Sequence, residues 1–183
     1  MNKEDLLTRN FTLIALAVFL LSAWNFIPAA ASATSPFQLA LVAPVQIVPE
    51  TSSIAGIRLS LIYGSNQDVT GLDVGLASRT KGKFVGLQYA IVGMVDGDFE
   101  GWQDAVVNLT KGRLQGLQTG LYNQVGSAKG LQWGAVNMAK DFEGLQLGLV
   151  NLTETMHGLQ IGLINVIQQK SSLPILPIVN WQF

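Results

Sequence analysis

The sequence predicts an all-β domain built of short tandem repeats. An eight-residue phrase, read as GLQLGLVN from Gly144 and as GLQIGLIN from Gly158, recurs along the chain at spacings of fourteen or fifteen residues. Within the phrase, large apolar residues alternate with Gly, Gln or Asn, which is the period-two pattern of a β-strand. Charged residues concentrate between the phrases, in turn-like segments such as AKD and VDGD. Each unit is therefore expected to be one strand and one short polar turn.

Residues 1–33 are expected to form a helical signal segment that is removed on export. Lys3 and Arg9 supply positive charge, and an apolar run follows from Phe11 to Trp24. This run is shorter than the roughly 20 residues that span a bilayer, and an A-x-A cleavage pattern ends at Ala33. We therefore predict an exported protein whose single β-repeat domain occupies residues 34–183.

The repeat units of this domain start near residues 41, 56, 71, 86, 101, 116, 130, 144, 158 and 173, which gives about ten strands. Gly opens the phrase, Gln is third, a small residue is fifth and Asn is eighth. The residues taken as the structural signature of the repeat are Gly86, Gln88, Asn108, Gly116, Gln118, Gly120, Asn123, Gly130, Gln132, Gly134, Asn137, Gly144, Gln146, Gly148, Asn151, Gly158, Gln160, Gly162 and Asn165.

Two arrangements of these strands fit the repeat. In an antiparallel meander, three- or four-residue hairpin loops would place Leu against Leu and Gln against Gly. Its apolar face, formed by phrase positions two, four and six, would suit closure into a small outer-membrane-type barrel of ten strands. In the alternative, a β-solenoid, each unit is one coil and identical residues stack. The segments AKD and TET offer little to bury as a second wall of a coil, so the meander is favoured.

Proline placement argues against a closed barrel. All six prolines lie at or before Pro49, or at Pro174 and Pro177. Proline belongs on free sheet edges or at bulges, and a closed barrel has no edges. An open sheet or a capped solenoid accounts for the prolines better.

Composition excludes several classes of function. The net charge of -1 gives no general attraction to nucleic acid. The absence of cysteine excludes disulfides, thiol catalysis and cysteine-bound metals. Only 13% of residues are charged, against about 25% in ordinary soluble domains. A lipid-facing or self-packing surface is therefore expected, and exposed sheet edges would favour self-association.

Individual polar residues give weak signals for chemistry. His157 is the only histidine and occupies a rim position, so a metal or base role is not expected. Asp96 and Asp98, with Glu100, have carboxylates suited to Ca²⁺, but they also make an ordinary hairpin tip. No pairing of a nucleophile with a base appears. The sequence therefore predicts no catalytic, cofactor-binding or metal-binding residues, and a protein that is not an enzyme.

Some residues depart from the apolar pattern or decorate it. Asp104 occupies phrase position four, on the Leu face, where a carboxylate is costly in lipid. Trp102, Trp133 and Tyr89 share that face and would form an interfacial belt or fill a core. N-x-T sequons begin at Asn108 and Asn151, where Asn is simply the eighth letter of the repeat.

The units GLQTGLYN, GLQWGAVN, GLQLGLVN and GLQIGLIN, with the exit LPILPIVNWQF, resemble a family of uncharacterised bacterial surface-repeat proteins. The resemblance covers residues 41–183 and implies an exported cell-envelope protein. It carries no catalytic residues. The units at Gly56 and Gly71 depart from the pattern, because Arg58 and Asp73 replace the expected Gln.

The expected function is that of a non-enzymatic, exported cell-envelope or surface protein, structural or associated with the outer membrane of a Gram-negative-type bacterium. Its expected partners are outer-membrane lipid or an envelope protein, with no nucleic acid. The alternative is a secreted β-solenoid that binds a protein or glycan partner along a regular Gln/Asn face.

Overall fold

The computed structural model describes residues 34–183, so the predicted signal segment lies outside the described part of the chain. The strands are β1 (Thr34–Val42), β2 (Val45–Gln46), β3 (Ser53–Asn66), β4 (Val69–Thr80), β5 (Phe84–Val95), β6 (Phe99–Ile167) and β7 (Ile175–Gln182). The predicted all-β class is confirmed. Among residues 34–183, no helix is long and apolar enough to cross a bilayer.

All seven strands belong to one sheet in the order β2-β1-β3-β4-β5-β6-β7. From β3 to β6 the neighbours are parallel and in register, with Gly56 beside Gly71, Gly71 beside Gly86 and Gly86 beside Gly101. The long strand β6 passes through five phrase-opening glycines, and its own repeats stack at the same spacing. The chain is therefore a β-solenoid in which each repeat is one coil, the alternative that the sequence allowed.

This parallel register shows that the favoured prediction of an antiparallel meander, open or closed, is wrong. The meander was favoured because the segments between phrases were expected to offer little to bury. Yet Ala139 of AKD and Thr153 of TET are buried, as are Phe142 and Met156 two residues before the next glycine. Two buried positions in each of these connecting segments supply the inner wall that a coil requires.

Two buried columns run along the solenoid axis. One consists of the residue two before each phrase-opening glycine, and its rings at Phe84 and Phe99 stack with centroids 4.8 Å apart. The other consists of the residue nine after that glycine, and it mixes apolar residues such as Val95 and Val125 with buried threonines such as Thr110. The apolar members of both columns belong to one buried cluster, which gives the coil its hydrophobic core.

The phrase-opening glycines form a column at the corner of the coil. Their φ angles lie between 123° and 152°, a region that other residues rarely adopt. A Cβ on Gly116 would also collide with the backbone carbonyl of Gly101, the glycine of the preceding coil. Only glycine therefore allows neighbouring coils to approach at this corner, which explains its strict recurrence.

The two ends of the solenoid depart from the regular stacking. At the N-terminal end, β1 pairs in parallel with β3, and the short β2 folds back antiparallel on β1. At the C-terminal end, β7 pairs antiparallel with the last coil of β6, from Gly158 beside Gln182 to Val166 beside Ile175. Pro44 and Pro49 flank β2, and Pro177 lies in β7. The prolines therefore mark the two capping units, as the capped-solenoid interpretation predicts.

Candidate docking surface

The repeated glutamines form a buried ladder inside the solenoid. From Gln103 onward, each side-chain amide nitrogen donates to the amide oxygen of the glutamine one coil closer to the N-terminus, at 2.7–2.8 Å. All members have 0% exposure. The ladder consists of Gln88, Gln103, Gln118, Gln132, Gln146 and Gln160. Parallel stacking thus pairs the buried amides with one another, and the amide oxygen of Gln160 at the C-terminal end of the ladder is left without a partner.

An ion pair ends the glutamine ladder at its N-terminal side. Gln88 donates to the carboxylate of Asp73 at 2.8 Å, and Arg58 donates to both oxygens of that carboxylate at 2.8 Å. The guanidinium of Arg58 also donates to the backbone carbonyl of Arg79 at 2.9 Å. Both charged side chains have 0% exposure. The two repeats that depart from Gln therefore supply opposite charges at the same stacked position.

The repeated asparagines form a second ladder of opposite direction. Asn108, Asn123, Asn137 and Asn151 each donate to the asparagine one coil closer to the C-terminus, and Asn165 receives the last bond. Asn123, Asn137 and Asn151 also donate to the backbone carbonyl at position four of the next coil, at 2.8–3.1 Å. Because the two ladders point in opposite directions, the dipoles of their aligned amides oppose each other.

These ladders remove one predicted binding surface. The glutamine and asparagine side chains were expected to offer a regular face to a protein or glycan partner, but they lie in the interior. The amides of the two sequons, at Asn108 and Asn151, are likewise buried. The signature residues of the repeat therefore hold the coils together and do not contact a partner from the outside.

The outward surface of the same strands is apolar. Side chains at phrase positions two, four and six alternate with the buried glutamine and small residue, so they point away from the core. We call this surface the apolar face. It begins at Phe37 and Leu39 of β1, which pair with Ile57 and Leu59, and ends at Trp181 and Val179 of β7, which pair with Leu159 and Ile161. The most exposed aliphatic column, at position six, contains Leu61, Leu76, Ile91, Val106, Leu121, Leu149 and Leu163.

The apolar face is large for a chain of this size. It spans ten strand rows: β1, the eight coils that open at Gly56 to Gly158, and β7. At about 4.8 Å between rows and about 3.3 Å per residue, the flat area is roughly 43 Å by 13 Å. That reaches the upper end of the 300–600 Å² or so of the largest patch on an ordinary monomer, before side-chain relief is counted. An exposed apolar surface of this extent is typical of a docking site.

One polar network interrupts the apolar face at its middle. Thr119 donates its hydroxyl to Asp104 at 2.6 Å, and the indole nitrogen of Trp102 donates to Thr119 at 2.9 Å. Tyr89 and Trp133, 58% and 63% exposed, lie on either side of this pair along the column of position four. The three aromatic residues of the predicted belt are therefore at the surface, not in the core.

Apart from Arg58, Asp73 and Asp104, the charged side chains of residues 34–183 lie in and beside the turns between phrases. Asp96 contacts Lys111 and Arg79 at 2.7 Å each, and a hydrogen bond from Lys111 is the main reason that its pKa is below the ordinary value. Glu100 pairs with Lys83 at 3.1 Å, and Asp98 accepts from the backbone nitrogen of Arg113. The carboxylates that could have held Ca²⁺ are thus engaged by cations or by the backbone.

The remaining titratable groups do not converge. His157 is exposed and makes an edge-on contact with the ring of Phe183, with centroids 5.8 Å apart. Lys129 contacts Glu143 at 2.7 Å, and this hydrogen bond lowers the pKa of Glu143. Within the described chain there is no group of three His, Asp or Glu side chains that could hold a metal ion.

Sequence reasoning missed the ion pair of Arg58 and Asp73 as a structural element. The signal was present, because the two residues occupy the third phrase position of successive repeats and have opposite charges. In a solenoid such residues must stack, whereas the favoured meander placed glutamine against glycine.

Comparison with protein-family models, with curated proteins and with solved structures finds no match to the chain.

Proposed function

We propose that this chain is a non-enzymatic, exported cell-envelope protein with a structural role, and that the apolar face is its docking surface. The observation that carries the proposal is the apolar face itself. Its ten rows expose large aliphatic and aromatic side chains to an extent that is unfavourable in water unless another surface covers them. The predicted signal segment and the resemblance to surface-repeat proteins support export to the envelope.

The rigidity of the solenoid supports a structural role. The amide ladders bond successive coils to one another and the glycine column lets them approach closely, so the interior fixes the rows of the apolar face relative to each other. Its only polar side chains at positions two, four and six, apart from the aromatic residues, are Asp104 and Thr119, and these bond to each other. This arrangement suits attachment to a surface better than it suits a reaction. An activity of the purified protein that is lost in Asp104→Ala would contradict the non-enzymatic part of the proposal.

Thiol labelling in cells tests the docking surface directly, because the chain has no native cysteine. The full chain would be expressed as two variants, Leu149→Cys on the apolar face and Gln115→Cys in an exposed position outside it. Both would be treated with a membrane-impermeant maleimide before and after purification in urea. We expect recovery in the envelope fraction, rapid labelling of Gln115→Cys, and protection of Leu149→Cys until unfolding.

Two results would reject this proposal. Recovery of the chain inside the cytoplasm would contradict the proposal that it is exported. Equal labelling rates for Leu149→Cys and Gln115→Cys in intact cells would show that nothing covers the apolar face. Protection is expected whether the cover is lipid, another protein or a second copy of the chain.

A second candidate function is a secreted module that binds a protein or glycan partner. One observation favours it: a shallow depression next to Trp133, lined also by Thr119, Leu121 and Leu149, adjoins the carboxylate of Asp104. An exposed indole beside hydrogen-bonding groups is a common recognition element. Release of the chain into the medium, with saccharide or peptide binding that Trp133→Ala abolishes, would support this function over the first.

A further inference from the structure

We infer that the apolar face packs against the apolar face of a second copy of this chain, in a symmetric dimer. Its two-fold axis runs along the strand direction, between the coils that open at Gly101 and Gly116. The inference rests on the proposed function, because it names the occupant of the docking surface. It follows from the order in which side chains are arranged along that surface.

The column of position four is self-complementary about its midpoint. Rotation about the inferred axis reverses the order of the ten rows and keeps each position along the strand, so the first row faces the tenth and the fifth faces the sixth. Three facing pairs are then aliphatic, one is aromatic and one is polar. From the ends to the middle, these pairs are Leu39 with Val179, Leu59 with Ile161, Val74 with Leu147, Tyr89 with Trp133, and Asp104 with Thr119.

The column of position two also carries aromatic residues at both ends of the stack, so that like residues would face each other there. Phe37 of the first row would face Trp181 of the tenth, and the intervening rows carry aliphatic residues up to Trp102, which would face Leu117. A chain that docked on lipid would gain nothing from such matching. An interface that uses the same patch on both subunits requires it, because every contact occurs twice.

The geometry suits the packing of two sheets. Sheets that pack face to face lie about 10 Å apart with their strands roughly aligned, which this axis provides. A specific interface buries at least about 1,000 Å² in total, or about 500 Å² from each partner, and typically about 800 Å² from each. The flat area of roughly 560 Å² from the strand spacing exceeds the lower value before the relief of the half-exposed aromatic side chains is counted.

The polar pair would set the register of the dimer. In other alignments of rows, Asp104 would face an aliphatic or aromatic side chain or the second Asp104, and an apolar partner would remove water from the carboxylate without giving it a hydrogen bond. In the inferred alignment the hydrogen-bonded pair of Asp104 and Thr119 in one copy faces the same pair in the other copy, so the polar groups of both copies meet at the centre. Two carboxylates near the centre still oppose association, so Asp104→Asn should tighten the dimer by about tenfold.

The first experiment is light scattering on the purified full chain across a dilution series. The wild type should have twice the mass of one chain. Leu149→Lys should weaken the dimer at least a hundredfold, because the charge is buried twice, whereas Gln115→Lys should have no effect. A monomeric wild type would overturn the inference. If that monomer also bound phosphatidylethanolamine–phosphatidylglycerol vesicles and Leu149→Lys did not, lipid would be the occupant and the proposed function would stand.

The second experiment locates the axis with spin labels on single cysteines at Thr70, Gln115 and Glu143. These three exposed residues each precede a phrase-opening glycine, in the third, sixth and eighth rows. The axial separation of the two labels in the dimer should be about 5 Å for Gln115→Cys, and about 24 Å for both Thr70→Cys and Glu143→Cys. Equal distances for all three would mean that the rows run in the same direction in both copies, which would contradict the assigned axis.

Discussion

Asp73 lies between Arg58 and Gln88 in the stack and accepts hydrogen bonds of 2.8 Å from both. The ladder of neutral amides therefore ends at a carboxylate, and the guanidinium of Arg58 neutralises the charge of that carboxylate. The aligned amides donate toward the N-terminal end, so the positive end of the ladder faces the carboxylate. The ion pair is thus a terminal cap of the glutamine ladder.

The cap makes a testable prediction about stability. Arg58→Ala leaves a buried carboxylate without its cation and should destabilise the fold by about 3–5 kcal/mol in urea unfolding. The double variant Arg58→Gln/Asp73→Gln extends the ladder and should lie within about 1 kcal/mol of the wild type. If the double variant is as unstable as the single one, the cap interpretation is wrong.

The ladder itself should be sensitive to a break in its middle. Gln132→Leu leaves the amide nitrogen of Gln146 without its acceptor and the amide oxygen of Gln118 without its donor. We expect a loss of about 2–4 kcal/mol, since two buried polar groups lose their partners. The matched control, Gln115→Leu, is exposed and should change the free energy of unfolding by less than about 0.5 kcal/mol.

Glycine at the corner of the coil should resist replacement. Gly116→Ala places a methyl group against the carbonyl of Gly101 at a φ of 132°. Both effects act in the folded state, so a loss of more than about 2 kcal/mol is expected. Thermal unfolding measures it, with Ser127→Ala in a connecting segment as the control. A Tm for Gly116→Ala equal to that of the control would refute the argument.

Asp96 should make stability depend on pH. Its pKa is lower in the folded chain than in the unfolded one, chiefly because Lys111 donates to it. Its contribution is therefore fully present above the unfolded value, about 3.9 for Asp, and is lost as pH falls through the lower folded value. The effect should be at most about 1 kcal/mol, because the partner side chains are partly exposed. Asp96→Asn should flatten the dependence of Tm between about pH 5 and pH 3, and an unchanged slope would argue against the role of Asp96.

The repeat pattern alone predicts much of the fold. Period-two alternation in GLQLGLVN correctly separates apolar side chains at positions two, four and six from the glutamine and small residues. It could not decide the direction of neighbouring strands, because the phrase is nearly symmetric about position four and both arrangements match Leu with Leu. The decisive residues are the buried ones between phrases, such as Ala139 and Thr153, which look like ordinary turn residues in the sequence.

The candidate site was predicted only in part. The sequence showed that Asp104, Trp102 and Trp133 share the apolar side of the strands, and the structure places them there. It also suggested that Gln and Asn were available to a partner. Their burial depends on the coil closing around them, which is a tertiary property that the strand pattern does not contain.

The central claim is that successive repeats stack in parallel, which puts the amide ladders inside and the apolar face outside. A nitroxide pair at Gln115→Cys and Lys129→Cys tests it most directly, because both residues precede glycines of adjacent coils. The solenoid predicts backbone positions about 5 Å apart and strong dipolar broadening. In an antiparallel meander these residues would lie at opposite ends of neighbouring strands, roughly 25–30 Å apart. The doubly labelled chain is diluted with unlabelled chain, so that only distances within one chain are measured. A distance in the longer range would contradict the account.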